Sequence, residues 1–333
     1  MTIKSYIISR ALIAIPMTIF LFTLVFVILR VIPGDPINVI LGPRASPELR
    51  TKLAQQLGLD APLHIQYFNY LLAIFRGDFG ISLLTREPVI SEILKFFPHT
   101  VELTLGAMFV ALICGIPLGI SASQRRGRLL DIIVRIYGVV VYVIPIFWFG
   151  LMLQLLLGVY LGFLPVAGIG PTPTNKVTGL YLLDFVLNGD LEGFALSLKH
   201  LILPSLSLGL VISGVFARLT RTYMVETLKQ DYTLAAETRG LQKYTIVYKY
   251  GLRNALLPLI TMIGLEIAGL LSGAVLTEVT FSWPGLGTYL VSRIGNRDYA
   301  AVQGSIVFFA IIMIVVSFVV DLVYAYLDPR VKL

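Results

Sequence analysis

Apolar positions run in six long blocks separated by charged or turn-forming segments. Residues 11–29 carry no charge before Arg30, and residues 103–124 carry none after Glu102. Residues 136–175 are uncharged for 40 positions, and 136–160 of these suffice for one crossing. Residues 200–217 follow, then 254–278 with Glu266 in the middle, and finally 299–320 between Asp298 and Asp321. A hydrocarbon core about 30 Å thick takes about 20 apolar residues in a helix. The pattern therefore predicts an all-α integral membrane chain with six transmembrane helices.

The connections are unequal. About 65 residues separate the first two blocks, and within them Pro47-Glu-Leu-Arg-Thr-Lys-Leu-Ala-Gln-Gln-Leu-Gly58 reads as a short amphipathic helix opened by Pro and closed by Gly. About 36 residues lie between the fourth and fifth blocks, too many for a simple turn. The first block exceeds the about 7–15 apolar residues of a signal peptide, and no small-residue cleavage site follows it. It is expected to be an uncleaved signal anchor.

Composition removes the soluble alternatives. Of the residues, 57% are hydrophobic and only 14% charged, against about 25% charged in an average soluble domain. The net charge of +7 is read as orientation, because Lys and Arg collect in short cytoplasmic loops. With a cytoplasmic N-terminus, fourteen basic residues fall on the inner side and ten on the outer, six of those ten in the one long loop. The short loop Gln124-Arg-Arg-Gly-Arg128 is the clearest marker of an N-in, C-in chain. Nucleic acid is not an expected partner, and Cys114, inside an apolar run, reports no redox compartment.

Residues 220–254 carry the most chemistry. Thr227-Leu-Lys-Gln-Asp-Tyr-Thr-Leu-Ala-Ala-Glu-Thr-Arg-Gly240 has helix-forming residues up to a glycine suited to a C′ position. Thr245-Ile-Val-Tyr-Lys-Tyr250 predicts a second short helical turn. A helix, a glycine turn and a second helix make a rigid projecting knob, and the small Ala235 and Ala236 let a partner surface approach closely. The alternative is an amphipathic hairpin resting on anionic headgroups through Lys243, Lys249 and Arg253.

Leu234-Ala-Ala-Glu-Thr-Arg-Gly240 resembles the loop with which membrane subunits of ABC importers engage their ATPase subunits. Ala235, Ala236, Gly240 and Leu252 match that pattern, whereas Leu234, Tyr250 and Arg253 depart from it. Asp231-Tyr232 and Leu252-Arg-Asn-Ala-Leu-Leu-Pro258 resemble the dipeptide and oligopeptide permease branch, which often shows the same departures. So do Ile32-Pro-Gly-Asp-Pro36, Leu57-Gly-Leu-Asp60, Gly77-Asp-Phe-Gly-Ile-Ser82 and Pro145-Ile-Phe-Trp148. Phe281-Ser-Trp-Pro-Gly-Leu-Gly287, Asn296-Arg-Asp-Tyr299, Val302-Gln-Gly304 and Asp328-Pro-Arg330 complete the series.

The resemblance implies the type I ABC importer permease fold in a multi-pass cell-membrane protein. It implies a second permease subunit in a heterodimer, two cytoplasmic ATPase subunits, and an extracytoplasmic solute-binding protein. The implied organisation is an N-terminal helix at 1–32, an extracytoplasmic region at 33–96, a permease domain at 97–326 and a tail at 327–333. The implied coupling loop, 220–254, contains Asp231, Tyr232, Ala235, Ala236, Gly240, Leu252 and Arg253. The implied substrate is a di- or oligopeptide; nickel chelates, glutathione and oligosaccharides are the alternatives within the branch. Phe281, Trp283, Pro284 and Gly285 are implied to form an outer gate or a contact with the binding protein.

Glu266 sits mid-span, where a charge costs about 3 kcal/mol on insertion scales. It is either a polar lining of the substrate path or a carboxyl shared between helices. Pro145 and Trp148 are further path candidates; a simple kink is the alternative at Pro145, and Trp283 suits an interfacial belt. Gly115 with Gly119, and Gly269 with Gly273, have the spacing of close helix packing, within this chain or against another. The three histidines have no ligand spacing, so no metal site is expected. No phosphate-binding loop or hydrolase motif occurs, so ATP and magnesium belong to partner subunits and the chain is not expected to be an enzyme. A stand-alone secondary transporter is the rival reading, and it predicts transport by the purified chain alone.

Overall fold

The computed structural model describes residues 3–31, 46–56 and 60–327. The motifs at 32–36 and 328–330, and most of 57–60, lie outside the described residues. The first helices are α1 (Ile3–Val31), α2 (Pro47–Gln56), α3 (Leu63–Phe75) and α4 (Val89–Gln124). The middle of the chain holds α5 (Leu129–Val143), α6 (Ile146–Leu153), α7 (Tyr181–Leu187), α8 (Leu191–Thr227) and α9 (Asp231–Thr238). The last four are α10 (Arg253–Gly273), α11 (Val275–Thr280), α12 (Leu286–Gly295) and α13 (Tyr299–Leu327). Among the described residues the only β pairing is an isolated bridge between Ile81 and Pro88.

Among the described residues, four helical stretches are long and apolar enough to cross a membrane: 89–124, 191–227, 243–272 and 299–323. Helix α1 occupies the place of the first predicted crossing, with its apolar stretch at 15–28. The third predicted crossing is broken. Helix α5 ends at Val143 and α6, continued by a wider π-type turn from Gln154 to Tyr160, leaves at 100° to it. Pro145 causes this, since a residue before proline avoids the helical region. Ile144 takes φ −71° and ψ 126°, and Pro145 itself stands as the N-cap of α6. A simple kink at Pro145 is thereby corrected to a break.

The other helices outrun their apolar blocks. Helix α8 begins at Leu191, where the Asp190 side chain accepts the Gly193 N–H at 2.8 Å, satisfying one of the orphan donors of the first turn. The expected separate helix at 245–250 is instead continuous with α10: a short turn at Lys243–Thr245 runs through a π-type segment at Ile246–Leu252. No glycine–proline break separates the two, and the wider turn precedes Pro258, which removes one backbone donor.

Helices α4 and α8 form the spine. Between apolar helices in lipid, association depends on close van der Waals packing, which small residues permit. A Cβ on Gly115 would lie 2.7 Å from the Ser213 carbonyl oxygen, and one on Gly119 2.6 Å from that of Ala217. Gly209 approaches Ala107 in the same way from the opposite helix. The partner of Gly115 and Gly119 is thus in this chain. Gly269 faces open space. Leu103, Ala107, Leu208, Ile212 and Phe216 fill the seam. A second cluster, with Phe22, Val25, Ile74 and Val307, ties α1 and α3 to α13.

Candidate functional site

The expected knob is present. Gln230 is extended, the helix α9 follows, and Gly240 closes it at φ +75° with no atom near a would-be Cβ. Leu241 N–H donates to Ala236 O at 3.3 Å and Gly240 N–H to Glu237 O at 2.9 Å. This 6→1 and 5→2 pairing is the Schellman motif, which needs a left-handed C′ residue. Asp231 in the first turn complements the helix dipole.

The knob has two faces. Thr233 and Ala236 are buried, and Thr233 Oγ1 donates to Thr227 O at 3.0 Å, tying α9 to the end of α8. Tyr232, Leu234 and Ala235 are exposed, as are Leu241, Tyr244 and Tyr248. Tyr244 and Tyr248 have ring centroids 4.5 Å apart. Ala236 is therefore not on an approachable surface: the three-residue spacing from Thr233 turns it inward, and Ala235 alone of the pair faces out. Leu252 also faces inward, packed against Ile120, Met224, Val247 and Ala255, whereas Arg253 is exposed.

At the other end of the spine, residues 278–288 fold around Glu278, a residue for which the sequence predicted no role. Its fully buried carboxylate accepts Thr100 Oγ1 at 2.7 Å, Gly287 N–H at 2.7 Å and Thr288 N–H at 3.0 Å. The Thr100 hydroxyl accepts Leu286 N–H at 2.8 Å. Burial pushes the Glu278 carboxyl above its ordinary range, against the opposing pull of those donors. The pattern that hinted at this role is an acid shortly before Gly285-Leu-Gly287: a Cβ on either glycine would run into the Glu278 side chain.

Phe281 and Trp283 are buried, not displayed. Trp283 Nε1–H donates to His99 O at 2.8 Å, so this indole is a core group and not part of an interfacial belt. Phe281 O accepts Gly168 N–H at 2.9 Å, and the Phe281 ring would meet a Cβ on Gly150 of α6. Gly285 is buried as well; Ser282, at φ 49°, is exposed and Pro284 partly so. Glu102 accepts Leu182 N–H at 2.7 Å, so it caps α7.

Beside this hub, the motif at 77–82 lies on the start of α13. Ser82 Oγ donates to Asp298 Oδ2 at 2.6 Å, and Asp298 Oδ1 accepts Ala301 N–H at 3.2 Å. Gly304 leaves room for Phe79 and Val89. Three stretches separated along the chain thus form one structure.

Glu266 is half-buried on α10 and makes no hydrogen bond or ion pair among the described residues. Trp148 is 46% exposed on α6 and Pro145 is exposed at the break. No hydrogen bond joins these three.

Comparison with known proteins supplies the family. Residues 115–333 match the model of the binding-protein-dependent transport system inner membrane component, and residues 3–104 match that of its N-terminal region. The chain is 44% identical over 309 residues to the probable D,D-dipeptide transport system permease protein DdpB of Escherichia coli K12, covering 92% of this chain and 91% of the relative. It is 41% identical to the di/tripeptide transport system permease protein DppB of Pseudomonas aeruginosa, over 98% of each chain. The glutathione transport system permease protein GsiC of Salmonella typhi is 36% identical over 98% of this chain. A solved inward-facing structure of the MetNI methionine ABC transporter shares the fold, with a TM-score of 0.51 at 17% identity over 72% of this chain and 98% of that one. A broken third crossing, a helix–glycine knob and a buried outer hub are thus built on a known scaffold, and the chain belongs to the binding-protein-dependent transport system inner membrane components.

Proposed function

We propose that this chain is one of two permease subunits of an ATP-driven importer of di- or oligopeptides in the cell membrane, lying N-in and C-in. The observation that carries the reading is its 38–44% identity, along nearly the whole chain, to permeases named for dipeptides. The exposed knob supports the coupling half of the reading: Asp231, Tyr232, Leu234, Ala235 and Arg253 present the surface, while Ala236, Gly240 and Leu252 hold its shape. A partner ATPase subunit docks there, and ATP and magnesium are bound by that partner; this chain binds no cofactor and catalyses no reaction.

On the outer side, a solute-binding protein delivers substrate to the surface around Ser282 and Pro284, which the buried Phe281, Trp283 and Gly285 hold rigid. Glu266, Trp148 and the exposed Pro145 line the path between this chain and a second permease. The unpartnered Glu266 suits a cationic group such as a peptide amino terminus. Glutathione is a second substrate reading, supported by the relative named for it.

The test is reconstitution of the complex purified from the native gene cluster, with uptake of radiolabelled dialanine measured with and without ATP. ATP-dependent uptake that also requires the binding protein supports the reading. Uptake by this chain alone without ATP overturns it.

A further inference from the structure

Asp131 is a carboxylate with 1% exposure in the first turn of α5. Arg221 of α8 reaches it with two donors, Nε to Oδ1 and Nη2 to Oδ2, the latter at 2.9 Å. Gly127 N–H donates to Oδ2 at 2.9 Å, and Arg135 Nε lies 3.9 Å from Oδ1. A paired buried carboxylate with every near neighbour committed is a costly way to hold two helices, since apolar residues of similar volume stabilise as well. What it supplies that apolar residues do not is a fixed register with a directional, two-bond fork.

The register matters because of what each helix carries. Helix α8 continues from Arg221 to Thr227 and is tied there to the knob through Thr233. Helix α5 runs from Asp131 to the break at Pro145, where the chain turns 100° into α6, and Gly150 of α6 abuts the Phe281 ring. Above Asp131, α5 meets α8 through the Tyr137 hydroxyl, which donates to Leu210 O at 3.1 Å, and through the close approach of Gly138 to Gly214. Those contacts are short-range packing and the neutral hydrogen bonds of the Tyr137 hydroxyl, to Leu210 O and with Ser213 Oγ. The Asp131–Arg221 fork is the charged tie, and it lies nearest the knob.

We propose that Asp131 and Arg221 are a positioning pair that passes displacement of the knob from α8 to the bent pair α5–α6. The proposal rests on the ATP-driven reading. A coupled conformational change needs a physical connection between two sites and an element with two arrangements; the fork is the connection and the break at Pro145 the element. Without the fork, α8 moves with the docked ATPase while α5 lags, so hydrolysis continues without transport.

The experiment compares wild type, Arg221→Lys and the neutral double variant Asp131→Asn/Arg221→Gln in the reconstituted complex, measuring ATP hydrolysis and dialanine uptake. The lysine keeps the charge and loses the fork, and the double variant removes both charges without stranding one. The expected result is assembly with both ATPases, hydrolysis within about twofold of wild type, and uptake per ATP lower by about tenfold in each variant. An unchanged uptake-to-hydrolysis ratio in either variant overturns the proposal. Failure of both variants to assemble also overturns it, because the pair is then a folding element only. A wild-type complex that transports without ATP defeats the importer reading instead, before any variant is compared.

Discussion

The Ser82 hydroxyl and the Asp298 carboxylate, 216 positions apart, meet in a buried 2.6 Å hydrogen bond that joins the loop after α3 to the start of α13. Asp298 also accepts Leu84 N–H at 3.3 Å and caps α13 through Ala301. Replacing it with Ala strands buried donors, at about 1–3 kcal/mol for a lost partner. Asp298→Ala is expected to lower the thermal midpoint of the purified chain, with Ser82→Ala giving a smaller drop. Equal midpoints for Asp298→Ala and wild type would remove the tie.

Gly285 faces the Glu278 carboxylate with an ordinary φ of −93°, so its constraint is space alone. Gly285→Ala is expected to destabilise by about 1–3 kcal/mol through overpacking. Gly295→Ala, where nothing lies near the added carbon, serves as the control and is expected to be neutral or slightly stabilising. Chemical or thermal unfolding of the two variants in detergent separates them.

The two adjacent alanines of the knob are expected to respond differently. Ala236→Leu forces a large side chain into a buried position and weakens the loop itself, seen as increased protease cleavage between residues 228 and 242. Ala235→Leu leaves cleavage unchanged and reduces recovery of ATPase subunits in a detergent pull-down. Gly240→Val strains the left-handed turn by about 1–2 kcal/mol and is expected to leave insertion intact while uncoupling uptake. Normal uptake by the Gly240→Val complex would count against the coupling role.

Asp184, in α7, gives a pH signature. Burial pushes its carboxyl up, but Thr178 N–H and Oγ1–H, both at 2.8 Å, and Gly179 N–H at 3.0 Å outweigh that and hold it below its ordinary 3.8. A depressed folded-state pKa contributes stability that is present above the ordinary value and disappears as pH falls through the lower one. Asp184→Asn is expected to reduce stability near neutral pH and to flatten the loss below about pH 4. Parallel acid-unfolding curves for the variant and wild type would refute the assignment.

Hydropathy and turn chemistry are local, and what depends on them was readable from residue order. The uncharged blocks located the crossings, because lipid demands a run of apolar residues whatever its neighbours do. Gly240 announced the end of its helix, because a left-handed residue is a property of one backbone position. Pro145 marked an interruption, because the residue before a proline avoids the helical region, but residue order did not give the 100° angle at which α6 leaves. Contacts between distant segments carry no such mark. Whether Gly115 and Gly119 pack within the chain, that Trp283 lies in the core, and that Ala236 faces inward all depend on which surface meets them. The same holds for Glu278 and for Asp131 with Arg221. Each is a charge whose meaning lies in a partner brought close by folding, since electrostatic and hydrogen-bond energies fall off over a few ångströms while sequence separation is unlimited.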